Sequence, residues 1–291
     1  MVKAAQKLML LMTAAVAMAA TGCVTVAPPS VVRFANVTPG APQEISAVLI
    51  RPAGPGPFSA VVQLHGCAGV EAESYRWARW FAHHGYVALV VDSFGPRHAK
   101  GDCRSGPDEP PITARFDDAL GALRYLQSLP IVRRDRVGAI GWSQGGVYAM
   151  AVVNGPSLER AVKRGVTLPS VGFAAAIGVY PGGCSSLVKE RAIRPLLVLI
   201  GAADDWTPAA KCEEMVTAMR SRGADASIVI YPGAYHYFDV QGQPRTVLAN
   251  VENDAKPGGH GATVSYQAAA ARDAHRRVAA FFARYLKGGP S

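Results

Sequence analysis

Short apolar runs alternate along the chain with longer stretches of helical spacing. Residues 86–91 (Tyr-Val-Ala-Leu-Val-Val) contain no charged position, the mark of a strand covered on both faces. Residues 45–51, 59–64, 137–141, 173–179, 195–200 and 226–231 read as further strands. Helical patterns separate them. Residues 74–84 carry Tyr75, Trp77, Trp80 and Phe81, residues 114–129 stop at Pro130, and residues 144–153, 209–222 and 265–287 follow. This alternation predicts an α/β fold, a mostly parallel central sheet with helices on both faces. Two stretches, 92–114 and 239–264, are rich in Gly, Pro and polar residues and are expected as long loops bordering a substrate cleft. The chain has 291 residues, no internal repeat and no second compositional regime, so one folded domain over 44–291 is expected.

The N-terminus departs from that pattern. Lys3 and Lys7 precede an apolar run from Leu8 to Ala20, too short to span a bilayer, which takes about 20 apolar residues. Residues 1–22 therefore read as a signal peptide. The run ends in Ala20-Thr21-Gly22-Cys23, which resembles a bacterial lipobox and makes Cys23 the candidate for lipidation. The alternative is a plain signal peptide cut after Ala17-Met18-Ala19. Residues 23–43, with Pro28, Pro29, Pro39 and Pro42, read as a tether. An exported protein is expected, facing the periplasm or the cell surface and meeting the membrane through its N-terminal anchor.

Export changes the meaning of the cysteines. Cys67, Cys103, Cys184 and Cys212 remain beyond Cys23, an even number that in an oxidising compartment suggests two disulfides with three possible pairings. Cys67–Cys103 and Cys184–Cys212 are expected, because each joins loops that follow neighbouring elements on the side where active-site loops gather. Four buried thiols are the alternative. No C-x-x-C pair supports a metal site. The formal net charge is +9, but its basic residues are scattered, with no Lys/Arg stripe interleaved with aromatics, so a nucleic-acid partner is not expected. With 49% hydrophobic and 18% charged residues the chain is not of a disordered type.

Chemistry enters at Gly141-Trp142-Ser143-Gln144-Gly145. G-x-S-x-G alone is weak in a chain with 30 glycines. Here the strand pattern 137–140 leads into it and the helical pattern 144–150 follows, the strand–turn–helix that a nucleophile elbow requires. Glycines are needed where the tight turn brings backbone segments together, and the helix N-terminus favours negative charge beside the serine. A serine hydroxyl needs a base, and the order expected for such a fold is Ser, acid, His. The strand 195–200 runs into a loop holding Asp204 and Asp205, and the strand 226–231 runs into one holding His236. Acids and bases at the C-terminal ends of strands stand where open α/β sheets do their chemistry. Spacing does not separate Asp204 from Asp205. Backbone N–H groups of Gln144, after the serine, and Cys67, after the strand 59–64, are the candidate oxyanion hole. His65 reads as a brace for that loop. Tyr180, Trp206, Tyr235 and Tyr237 lie near strand ends and are candidates for lining the cleft.

His65-Gly66-Cys67-Ala68-Gly69, the elbow at 141–146, Gly201-x-x-Asp204-x-x-Thr207-Pro208 and His236-x-Phe238 together resemble the dienelactone hydrolase family of α/β-hydrolases, over about residues 43–287. The resemblance implies the α/β-hydrolase fold without a large lid domain, and it selects Asp204 as the acid, because the family's Asp stands in that Gly-x-x-Asp stretch. Members that open dienelactones use a cysteine nucleophile and an oxyanion-loop glutamate. Ser143 and Gly66 stand there instead, which fits general ester chemistry better. The expectation is a serine hydrolase cleaving small-molecule carboxylic esters through an acyl-serine, with Ser143, Asp204 and His236 catalytic and neither cofactor nor metal required. The alternatives are an amide or peptide hydrolase on the same three residues, and an inactive ligand-binding surface lipoprotein.

Overall fold

The computed structural model describes residues 24–104 and 110–288. The signal-peptide reading and the lipidation of Cys23 lie outside the described residues. Eight strands form one sheet: β1 (Ser30–Ala35), β2 (Glu44–Ile50), β3 (Phe58–Leu64), β4 (Tyr86–Asp92), β5 (Val132–Trp142), β6 (Ala175–Val179), β7 (Leu196–Gly201) and β8 (Ala226–Tyr231). Their spatial order is β1-β2-β4-β3-β5-β6-β7-β8. From β4 to β8 every neighbouring pair is parallel, while β2 runs antiparallel to both β1 and β4. Strands β4, β6 and β7 are buried along nearly their whole length, which is why they carry unbroken apolar runs.

The helices are α1 (Ala72–His83), α2 (Ile112–Ser128), α3 (Gln144–Ala151), α4 (Gly155–Lys163), α5 (Cys184–Leu187), α6 (Ala209–Ser221) and α7 (Ala268–Leu286). A Cβ on Gly138 would meet the Phe282 ring of α7, while one on Gly141 would meet the start of α3. Positions three apart on a strand face opposite ways, so α7 and α3 cover opposite faces of the sheet. On the α7 face, α1 lies beside α7, with Trp77 stacked on His275 at 3.9 Å and Phe81 packed on Phe282. On the α3 face, the Arg115 guanidinium of α2 lies over the Tyr148 ring of α3.

Two expected stretches differ from the sequence reading, and α4 and α5 fall where it places no element. Residues 30–35, expected within a tether, form the edge strand β1. Phe34 is buried and Val31 exposed, and the following Asn36 donates to the Asp118 carboxylate at 2.9 Å. A half-exposed edge strand has no unbroken apolar run, and the flanking prolines dominate its pattern. The stretch 239–264, expected as a loop, contains an antiparallel hairpin of β9 (Thr246–Glu252) and β10 (His260–Val264).

Register decides where chemistry can happen. Leu64 pairs with Gly141, Gly141 with Gly178, Leu199 with Val179 and Gly201 with Tyr231. The C-terminal ends of β3, β5, β6, β7 and β8 therefore meet along one edge. The loops leaving that edge carry the candidate residues.

Candidate active site

Ser143 stands between the end of β5 and the start of α3 with φ 52° and ψ −119°, a left-handed-side conformation that a non-glycine residue holds only when its surroundings force it. Two close approaches do the forcing. A Cβ on Gly141 would lie 2.1 Å from the Gly145 carbonyl oxygen, and one on Gly145 would lie 2.1 Å from that of Leu64. The Ser143 N–H donates to the Val179 carbonyl at 2.9 Å, and the Ser143 carbonyl accepts from Gly182 at 3.1 Å, so the turn is tied to the loop after β6. Gly66 sits directly against the serine, with room for a Cβ 3.5 Å from the Ser143 Cβ.

The two aspartates after β7 take different work. Asp204 accepts a hydrogen bond across 2.8 Å from His236 Nδ1. Its other oxygen accepts from the N–H groups of Trp206 and Thr207, at 3.0 and 2.8 Å. Asp205 instead holds the hairpin: it accepts from the Thr263 N–H and hydroxyl at 2.7 and 2.9 Å and pairs with Lys256 at 2.7 Å. His236 is 0% exposed, and its Nε2 has no hydrogen-bond partner among the described residues. A buried ring nitrogen without a partner is costly unless a reacting group supplies one. The rings of Tyr180 and Tyr237 pack on His236 at 4.4 and 5.3 Å and also line a small cavity that Ser143 borders.

Cys67 and Gln144, whose N–H groups are expected as an oxyanion hole, line one cleft together with Ser143, and among the described residues neither N–H has an acceptor. Cys67 is bonded to Cys103, and Cys184 to Cys212, the pairing expected from the sequence. Cys184–Cys212 joins α5 to α6 beside the cleft. His65 is a buried brace: its Nε2 accepts from the Ser93 N–H at 3.2 Å and its Nδ1 donates to the Gly66 carbonyl at 2.6 Å. Burial and the Arg115 cation hold its pKa well below the ordinary value, so it stays neutral.

Two residues have roles that sequence reading missed. Arg115, buried in α2, donates to the His65 carbonyl at 2.5 Å and to the Gln144 side chain, and thereby clamps together the two segments that carry the candidate oxyanion donors. Asp239, also buried, accepts from Trp77 Nε1 and Trp142 Nε1, both at 2.9 Å, and from the Tyr180 hydroxyl at 2.7 Å. Burial and the Asp239 charge push the Tyr180 phenol well above its ordinary pKa, which keeps it a donor. Of the aromatics expected along the cleft, Tyr180 and Tyr237 line the small cavity and Trp206 lines a larger cleft. Tyr235 lines neither and instead accepts from Arg245. Among the described residues no group of three or more His, Cys, Asp or Glu side chains could hold a metal ion, and no helix is long and apolar enough to cross a membrane.

A model of the dienelactone hydrolase family matches residues 45–286. A Bradyrhizobium sp protein named "Probable 2-oxo-3-(5-oxofuran-2-ylidene)propanoate lactonase" is 25% identical over 202 residues, which cover 66% of this chain and 78% of that protein. Acyl-coenzyme A thioesterase 5 of Mus musculus is 26% identical over 282 residues, covering 84% of this chain and 64% of the thioesterase. Among solved structures, an esterase from Thermogutta terrifontis with butyrate bound aligns with a TM-score of 0.61 at 18% identity, over 88% of this chain and 95% of its own. The dienelactone hydrolase of Anabaena variabilis ATCC 29413 aligns with a TM-score of 0.58 at 19% identity, over 89% and 99%. At these identities the structures speak for the fold.

Proposed function

The chain belongs to the dienelactone hydrolase family, and on that premise we propose that it cleaves carboxylic esters by acyl transfer through Ser143, Asp204 and His236. The carrying observation is the 2.8 Å bond from His236 Nδ1 to a carboxylate that two backbone N–H groups hold in place, which leaves the buried Nε2 without a partner among the described residues, in a loop at the same sheet edge as the Ser143 turn. Asp204 fixes the proton of His236 on Nδ1, so that Nε2 is a base. As the Ser143 hydroxyl attacks the ester carbonyl, its proton passes to Nε2. The oxyanion is met by the N–H groups of Cys67 and Gln144. The imidazolium returns the proton to the departing alcohol, which leaves an acyl-serine. Water then gives a proton to His236 and its oxygen to the acyl carbon, and the acid departs as the serine regains its hydrogen. Every group in this cycle comes from the chain itself or the solvent.

Proteins similar to this chain include ones named for lactone and thioester cleavage, so ester-type bonds are the favoured class. The amide alternative is separated by matched substrates. p-Nitrophenyl acetate is expected to turn over about 1,000-fold faster or more than p-nitroacetanilide under equal conditions, a gap of about 4 kcal/mol in activation free energy. Equal rates on the two would contradict the ester reading.

Two disulfides fit an oxidising compartment. We place the protein outside the cytoplasm, led there by residues 1–22 and held at the membrane by lipid on Cys23. Cys23→Ala is expected to move it from the membrane to the soluble fraction. Its retention in the membrane fraction would contradict the anchor.

A further inference from the structure

Ser143 borders two spaces of very different size. One is a cavity of about 30 Å³, walled by the rings of Trp77, Trp142, Tyr180 and Tyr237 and edged by Glu71 and Glu73. The other is an open cleft of about 820 Å³ whose wall includes Trp206, Pro181 and Val147, with Arg104, Lys211 and Asp254 among its polar lining. We propose, building on the ester-hydrolase reading, that the substrates are esters of a short, uncharged acyl group, acetyl or propionyl, with a bulky polar alcohol. The acyl tail enters the cavity and the alcohol lies in the cleft.

The size limit follows from the walls. One water-sized sphere needs about 10–15 Å³ of such space, so the cavity admits about two, the bulk of a methyl or an ethyl group. The walls cannot yield easily. Trp77, Trp142 and Tyr180 all donate to the single buried carboxylate of Asp239, and Trp77 is further stacked on His275. Moving one ring outward breaks a charge-assisted hydrogen bond to a buried carboxylate. The cavity therefore acts as a stop rather than as an elastic pocket.

The order of events assigns the two halves of the ester. The alcohol must leave while the acyl group is still bonded to Ser143, and water must then reach the acyl carbon. An alcohol lodged in the more enclosed space would be shut in by the acyl group in front of it. An acyl tail can stay there through both steps, and the open cleft lets the alcohol out. Charge sets the third condition. Glu71 and Glu73 edge the cavity and Asp239 lies behind it. Burial and the Asp239 charge push Glu73 up to about 7 and Glu71 above its ordinary range. A carboxylate on the acyl tail would add a further negative charge to a wall that already disfavours its own.

The test measures kcat/KM for p-nitrophenyl acetate, propionate, butyrate and hexanoate, for p-nitrophenyl hydrogen succinate, and for acetates of alcohols from ethyl upward, with methyl hexanoate as the reverse case. A fall of about 100-fold or more from propionate to hexanoate is expected, with succinate at least as poor as hexanoate, no loss as the alcohol grows, and methyl hexanoate cleaved worst. Val240→Ala, which opens the cavity wall at a half-buried position, is expected to raise the hexanoate-to-acetate ratio by about 10-fold or more. Rates that are flat or rising with acyl length, or preference for methyl hexanoate over ethyl acetate, would overturn the proposal while leaving the ester reading in place. No turnover of any ester would instead overturn the ester reading itself.

Discussion

Ser143→Ala is expected to lower kcat/KM for p-nitrophenyl acetate by about 10⁴-fold or more, while far-ultraviolet circular dichroism and the unfolding midpoint stay as in the wild type. In the proposed cycle the rate loss follows from removing the one atom that would form the acyl bond. What would remain is the water reaction assisted by the proposed oxyanion donors and by substrate binding. The fold is spared for a specific reason. The unusual φ of 52° at this position disfavours any residue with a Cβ, and alanine keeps that Cβ, so the backbone strain is the same in both proteins. The hydroxyl makes no structural hydrogen bond among the described residues, so its loss leaves no buried partner stranded. A variant that lost activity only by unfolding would show both changes together.

Asp204→Asn is expected to lower kcat by about 10⁴-fold with little change in KM, and Asp205→Asn to change kcat by only a few-fold. The two residues are adjacent in sequence, so the contrast is a sharp test of geometry. Asparagine at 204 can still accept from the Trp206 and Thr207 N–H groups through its carbonyl oxygen. Its amide then faces His236 Nδ1 as a donor, so the imidazole carries its proton on Nε2 and can no longer accept one from Ser143. At 205 the substitution removes the ion pair with Lys256, where both side chains are 31% exposed, and weakens the hold on Thr263. That loosens the β9–β10 hairpin without reaching the imidazole. Steady-state kinetics on the two variants decides between them. A larger kcat loss in Asp205→Asn would contradict the assignment.

The sheet interior was legible because its strands have no solvent face: β4 and β7 lie within a residue or two of the expected spans. The elbow was legible because a Cβ at either glycine would lie 2.1 Å from a backbone carbonyl oxygen, which leaves no room for a side chain at 141 and 145. Edges were not. In β1 and β9 most side chains face solvent, and their patterns carry little apolar signal. Helix α4 begins at Asn154-Gly155-Pro156-Ser157, a stretch without apolar periodicity, and the Asn154 side chain caps the helix by accepting from Ser157 at 3.1 Å. Within the site, chain order pointed to His236, but only the resemblance separated Asp204 from Asp205. Arg115 and Asp239 left no local trace. Asp239 meets Trp142 and Trp77 across 97 and 162 positions of sequence, distances at which no periodicity or motif speaks.

The most direct measurement on the central claim is labelling by a fluorophosphonate, which reacts with a serine only when a neighbouring base has activated it. Intact mass and peptide mapping are expected to find one equivalent per chain, on the peptide containing Ser143, with none on Ser143→Ala and slow uptake by Asp204→Asn. A wild-type protein that takes up no label, or equal labelling of the Ser143→Ala variant, would contradict an activated serine at this elbow.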